Sequence, residues 1–270
     1  MRAGVGEFFG NEAQQGLQRR AAHLWSLIGG DPRFASHGRA VGLAEFHPDN
    51  LGLQVALARL QGVGPQESVP TAELERLRLA LEAEGLVVDS FVDWRGDEAA
   101  LDAARALLAA RSLPEDLEIV SVDAETPAED LAALDRLTQS CGVLLPMGAF
   151  LRGLRRPSIC LFARDRAGAV VGATASVMQF HPASRKAGLA WWGMLATDER
   201  RRGQGIAIVM GAMSLLAMNE RFGTSAFFTG IREGNEASEA LCARLGFAPT
   251  EAHDVIAVDP AVLSGGRLTK

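Results

Sequence analysis

Residues 188–222 constrain this chain more than any other stretch. An apolar, strand-like segment, GLAWWGMLAT (188–197), runs into the charged turn DERRRGQG and leaves it as an apolar, helix-like segment from Ile206 to about Phe222. A strand that feeds a glycine-rich turn at a helix start belongs to a layered α/β fold. The turn also exposes unpaired backbone N–H groups at the positive end of the helix dipole. Such a turn is suited to phosphates, and the arginines beside it add charge.

Composition narrows the ligand. The chain has 270 residues, 48% of them hydrophobic and 22% charged, which fits a globular protein with a substantial core and room for about two domains. A net charge of −6 argues against a general nucleic-acid binder. The apolar run from Ile206 to Met218 stops at Asn219-Glu220, too short to span a bilayer, so a buried helix and no membrane partner are expected. The first ten residues, MRAGVGEFFG, have no continuous apolar stretch, so no targeting segment is expected. Three scattered cysteines, Cys141, Cys160 and Cys242, suggest reduced thiols and a cytoplasmic protein. The histidines are dispersed and neither His-Glu-x-x-His nor Cys-x-x-Cys occurs, so no metal is expected. Lys186 and Lys270 are the only lysines, and no Walker-type Gly-Lys-Ser/Thr string exists.

Periodicity and punctuation divide the chain near residue 115. Residues 8–28 read as a helix, and two short segments, 39–46 and 51–60, read as a hairpin around His47-Pro48-Asp49-Asn50. Thr71 is expected to cap a helix ending at Gly85, followed by a strand at 86–94 and a helix at 98–111. This small α/β unit, residues 1–115, carries no chemical motif. From Leu117 onward the order is β-α-α-β-β-β-α-β-α-β, with strands at 117–122, 158–164, 169–180, 188–197 and 225–229. Helices fall at 127–140, 206–222 and 236–245, and a last strand pair is expected through 248–258.

The glycine turn alone is ambiguous. A dinucleotide fingerprint fails, because Ile208 stands where its third glycine belongs. The pattern that fits is Arg202-x-x-Gly205-x-Ala207, followed downstream by NEASEALCARLGF (235–247). The second string by itself would also suit a plain capped helix with a glycine C-cap. Together, the two strings and the element order from residue 116 to about 260 resemble the GCN5-related N-acetyltransferase superfamily. The resemblance implies an α/β fold with a mixed central sheet flanked by helices in residues 116–270, preceded by the small α/β amino-terminal domain. It also implies acetyl-CoA as co-substrate. Backbone groups of Leu195, Ala196 and Thr197 would line the pantetheine arm. Backbone amides of Arg202, Gly203, Gln204, Gly205, Ile206 and Ala207 would hold the pyrophosphate. Asn235 and, more weakly, Ser238 would hydrogen-bond the cofactor arm, while Arg200 and Arg201 would be surface charge or nucleotide contacts.

Catalytic residues are harder to place. Cys242 occupies the position where many superfamily members carry a tyrosine acid, and tyrosine is absent from the chain. A thiol of reference pKa about 8.5 would match a departing thiolate, although a small helix-face residue packed near the cofactor is the plainer role. A backbone N–H near Leu195 or Ala196 would support the oxyanion. The two central strands hold no acid, which leaves His181, Asp198, Glu199 and Glu233, all in turns, as candidate bases. Trp191 and Trp192 alternate across their strand, so one points into the core and the other is free to wall an acceptor pocket. The apolar loop 142–154 would cover an apolar or bulky acceptor. Residues 1–115 are left to complete that pocket, mediate a homodimer, or stand as a decayed second acyltransferase half. The expected activity is N-acyl transfer from acetyl-CoA to a small-molecule or peptide amine. The alternative is a CoA-binding regulatory or structural module without turnover.

Overall fold

The computed structural model describes residues 6–263, 265, 267 and 268. Residues 1–5, half of the segment read for a leader, and Lys270 lie outside the described residues. Asn11 opens the first helix, α1 (Glu12–Ile28), through a reciprocal pair of 3.0 Å bonds with Gln14. This cap places the start four residues later than periodicity suggests. Leu17, Ala21 and Trp25, four apart, form its buried face. Then come β1 (Phe34–Ala35), β2 (Gly42–Leu43), α2 (Leu51–Gln61), β3 (Val63–Pro70), α3 (Thr71–Ala83), β4 (Val87–Gly96) and α4 (Glu98–Ala110). The chain continues with β5 (Leu117–Ser121), α5 (Ala128–Ser140), α6 (Gly148–Leu151), β6 (Ser158–Asp165), β7 (Val170–Val177) and β8 (Leu189–Thr197). It ends with α7 (Ile206–Phe222), β9 (Ala226–Ile231), α8 (Glu236–Arg244) and β10 (Ala248–Val258).

The strands form one mixed ten-stranded sheet in the order β1-β2-β3-β10-β4-β9-β8-β7-β6-β5. The sheet runs continuously across residue 115, and carboxy-terminal β10 sits between amino-terminal β3 and β4. The mixed α/β sheet with flanking helices is the expected fold class. One face carries a core with Trp25, Leu134, Phe150, Trp191 and Phe228; the other carries Leu101, Trp192, Met210, Leu215 and Phe227. With both faces covered, Trp191 and Trp192 are both buried, at 7% and 1% exposure, and only Trp191 leaves the helix-α7 side. No helix among the described residues is long and apolar enough to cross a membrane.

Four local expectations give way. Residues 51–60 are helix, not the second arm of a hairpin. Apolar residues at 51, 53, 55 and 57 mimic a strand, but the segment is made of helix formers and turns Gln54, Leu57, Ala58 and Gln61 inward. Strand β3 escapes detection because Gly64, Pro65 and Pro70 disguise it. Thr71 is the first helical residue of α3 and makes no cap, since Pro70 holds the cap position. Residues 248–258 are one strand, whose register against β4 shifts between Pro249 and His253.

Trp192 ties β8 to α7: its Nε1–H donates to the Gly211 carbonyl at 3.1 Å, and its ring stacks on Phe247 at 4.9 Å. Trp192→Ala is therefore expected to cost about 3–5 kcal/mol in urea denaturation, the range for emptying a buried aromatic site.

Candidate functional site

The site is built where two parallel strands part. Strands β8 and β9 pair only from Leu189–Ala226 to Trp191–Phe228, although β8 continues to Thr197 and β9 to Ile231. Opposite this point the β7–β8 register shifts, and Met194 takes a left-handed φ of 57°. Beyond Trp191 the backbone of β8 facing β9 has lost its ladder partner. The opening is a cavity of about 590 Å³. Leu195, Ala196 and Thr197 line it from β8, Thr229 to Ile231 from β9, and Asn235, Ser238 and Cys242 from α8.

The glycine turn closes one side. Asp198 accepts the Arg200 N–H at 2.9 Å and pairs with the Arg200 guanidinium at 2.8 Å, and these contacts pull its carboxyl down to about 2. Arg201 is held by Asp116 at 2.9 and 3.0 Å, so it fixes the turn. Arg202 is 61% exposed in its side chain and, with Ala207, lines the cavity. Gly203, Gln204, Gly205 and Ile206 lie between those two residues. Gly203 and Gly205 adopt φ of 78° and 80°, a region that side chains resist. The first bond of α7 from the turn is Val209 N–H to Gly205 C=O at 3.1 Å, so the amides from Gly203 to Ile208 keep the orphan character of a helix start, whereas the Arg202 N–H, expected among them, is taken by the Glu199 carbonyl at 3.3 Å. A Cβ at Gly205 would meet only Arg111 Nη1, at 3.7 Å. Arg111 is thus a second cation at the turn, brought there by the end of α4, and no sequence pattern pointed to it.

Helix α8 brings the other expected residues together, with altered chemistry. The Asn235 side chain accepts the Ser238 N–H at 3.3 Å as helix cap, which leaves its amide N–H groups for a ligand. Cys242 is buried, and burial pushes its thiol up to about 12. The even match to a leaving thiolate that a free thiol offers is therefore lost. The Cys242 side chain lines the cavity wall from α8.

Residues from the amino-terminal unit complete the cavity. Ser36, His37, Arg39, Gln66 and Glu67 line it beside Gln179, Trp191 and Asp254. None of His181, Asp198, Glu199 and Glu233 does so. The acids that face the site are buried Glu67 on β3 and half-buried Asp254 on β10, beside each other. Burial and the neighbouring carboxyl push Asp254 well up, and burial raises Glu67, so each favours its protonated form more than a free carboxyl does. Lys186 Nζ donates to Ser68 Oγ and the Ala44 carbonyl, both at 2.8 Å, and burial lowers its pKa. Nearby Asp93, 1% exposed, receives a forked bond from Arg95 at 2.9 Å, yet burial raises it to about 6.

Buried polar atoms without a partner among the described residues concentrate here. Gln66 Nε2 and Oε1, Glu67 Oε2, Gln179 Nε2, His37 Nε2 and Thr197 Oγ1 all belong to cavity-lining residues. Of the apolar loop 142–154, only Val143 reaches the cavity, while Phe150 packs on Trp25. The wall expected to be apolar is thus polar in large part. No group of His, Cys, Asp and Glu among the described residues is placed to hold a metal ion, and all three cysteines are free thiols.

No family model matches the chain, and no curated protein matches it in sequence. Solved structures do match in fold. A tandem GNAT protein from the clavulanic acid biosynthesis pathway is 16% identical over 81% of this chain and 74% of its own, with a TM-score of 0.54. A GCN5-related N-acetyltransferase from Kribbella flavida is 15% identical over 91% and 95%, with a TM-score of 0.54. A GCN5-related N-acetyltransferase-like protein from Streptococcus suis is 17% identical over 84% and 83%, with a TM-score of 0.53. The fold is therefore GNAT-like, and identities this low carry the fold alone.

Asp93 gives the site a pH signature. Between about pH 4 and pH 6 the unfolded chain has released this proton while the folded chain keeps it, so the contribution of Asp93 to stability falls as pH rises. Stability in urea at pH 4.5 and 7.5 should therefore fall less with pH in Asp93→Asn than in the wild type. The difference is expected to be no more than about 3 kcal/mol.

Proposed function

We propose that the chain is an acetyl-CoA-dependent N-acyltransferase in which an acceptor amine attacks the thioester directly. The observation that carries this reading is one cavity joining the parted β8 and β9, the glycine turn, and the Glu67–Asp254 carboxyl pair. The fit to acetyl-CoA rests on left-handed Gly203 and Gly205, the orphan amides before Val209, and the unpartnered Thr197 hydroxyl. Arg202 to Ala207 hold the pyrophosphate, aided by Arg111. Leu195, Ala196 and Thr197 receive the pantetheine arm strand-fashion, with the amide N–H groups of Asn235 beside them. Bound acetyl-CoA supplies an activated acyl group.

The chain's own residues then manage charge and protons. A backbone N–H near Leu195 or Ala196, where β8 lacks its partner strand, donates to the developing oxyanion. The acceptor nitrogen forms a C–N bond to the acyl carbon as the C–S bond breaks, and CoA leaves as thiolate. The amine proton passes to the Glu67–Asp254 pair, whose affinity for protons is raised by burial as a base requires. Cys242, pushed to about 12, takes no part in protonating the thiolate. That feature also suits the second reading, a CoA-binding module without turnover. The unpartnered polar atoms on the acceptor wall favour the enzyme, because a site that binds only CoA leaves them unsatisfied.

Gly205→Glu puts a side chain at a left-handed φ and a carboxylate before the α7 N-terminus. Acetyl-CoA affinity in calorimetry is expected to fall at least about 100-fold, with a loss of melting temperature limited to the strain of the left-handed φ, since no clash adds to it. Thiol release from acetyl-CoA across an amine panel separates the two readings. Release with an acceptor supports the transferase, and tight binding without release for any amine overturns it.

A further inference from the structure

Arg39 lines the cavity but has no counter-ion among the described residues. Its Nε–H donates to the Leu144 carbonyl at 2.6 Å, and its guanidinium lies 5.1 Å over the Trp191 ring. Burial lowers its pKa to about 10, and no carboxylate among the described residues pairs with it. Other arginines of this region are neutralised: Arg95 by Asp93, Arg232 by Asp89 at 2.6 Å. An enclosed guanidinium without an anion is costly to maintain, and a fork of free N–H donors is shaped for a carboxylate.

Arg39 is joined to the carboxyl pair by a continuous wall. His37 stacks on the Trp191 ring at 4.4 Å. Burial and Arg39 hold its imidazole down to about 3, so it is neutral, and its Nδ1–H donates to Gln179 Oε1 at 2.9 Å. That leaves Nε2 as an unused acceptor. Gln179 in turn lies against Glu67, whose Oε2 has no partner. The wall thus presents a lone cation, neutral hydrogen-bonding groups and an anionic acceptor in succession.

We propose that the acceptor is a small amino acid-like zwitterion, its carboxylate taken by Arg39 and its ammonium by Glu67 and Asp254. This inference rests on the acyltransferase reading and names the substrate class of that same site. Gln66 and Gln179 serve the polar atoms between the two charges. The carboxylate that Arg39 receives belongs to the acceptor and not to the acyl chain.

The test compares amino acids with their matching carboxamides as acceptors, by thiol release at saturating acetyl-CoA. The expected kcat/KM for the acid exceeds that for the amide by about 100-fold, mostly through KM, as for a lost charge-assisted contact. Arg39→Gln should bring that ratio within about threefold while acetyl-CoA affinity by calorimetry changes less than twofold, and Arg39→Lys should restore part of it. Equal rates for acid and amide in the wild type overturn the proposal and leave the acyltransferase reading standing. Absence of acetyl-CoA binding overturns that reading instead. If Arg39→Gln does not fold, the wild-type ratio decides alone. A wild-type preference for succinyl-CoA over acetyl-CoA that disappears in Arg39→Gln assigns Arg39 to the acyl chain and also overturns the proposal.

Discussion

Everything functional in this molecule depends on β8 and β9 letting go of each other after three residue pairs. Parallel neighbours in the middle of a sheet normally pair to their ends, because buried N–H and C=O groups without partners are costly. Here the cost is accepted at one place, and the extra residue in β8 around left-handed Met194 turns the strand out of register. The freed backbone edge, the turn that follows β8 and the helix that follows β9 then converge on one cavity. Trp192, anchored to Gly211 and Phe247, and Trp191, stacked on His37, hold the two faces of β8 while its edge is open.

The cavity has two electrostatic characters with different physical origins. At the glycine turn, charge is managed near solvent: Asp198, Glu199, Asp116 and the arginines form exposed pairs that shape the loop and contribute little stability. At the opposite wall, Glu67, Asp93, Asp254, Lys186 and Arg39 are enclosed. Burial there moves every one of them toward its neutral form. Groups poised in this way exchange protons and bind oppositely charged ligand groups far more effectively than exposed ones.

That wall exists only because the chain's two ends meet in the sheet. Glu67 comes from β3 and Asp254 from β10, which enters the sheet between β3 and β4. Residues 35–42 reach the same cavity from short edge strands. A unit that shows no motif in sequence therefore supplies most of the polar groups of that wall.

Local signals made the phosphate side legible. The strand–glycine turn–helix order, the second string at 235–247 and the alternation of Trp191 and Trp192 are short-range patterns, and the structure brings their residues to one place. Where local pattern and packing disagreed, packing won: α2 looks like a strand, and β3, with its prolines, looks like a loop. The acceptor side was illegible because Glu67 and Asp254, nearly two hundred positions apart, have nothing in common until β10 is inserted beside β3. Their protonation, like that of Cys242, is set by exclusion of water, a property of the assembled sheet rather than of any residue type. The sequence by itself determined the fold class and the glycine turn, whose geometry is local. Only the tertiary structure decided which charges face the cavity, because burial and long-range strand order create them.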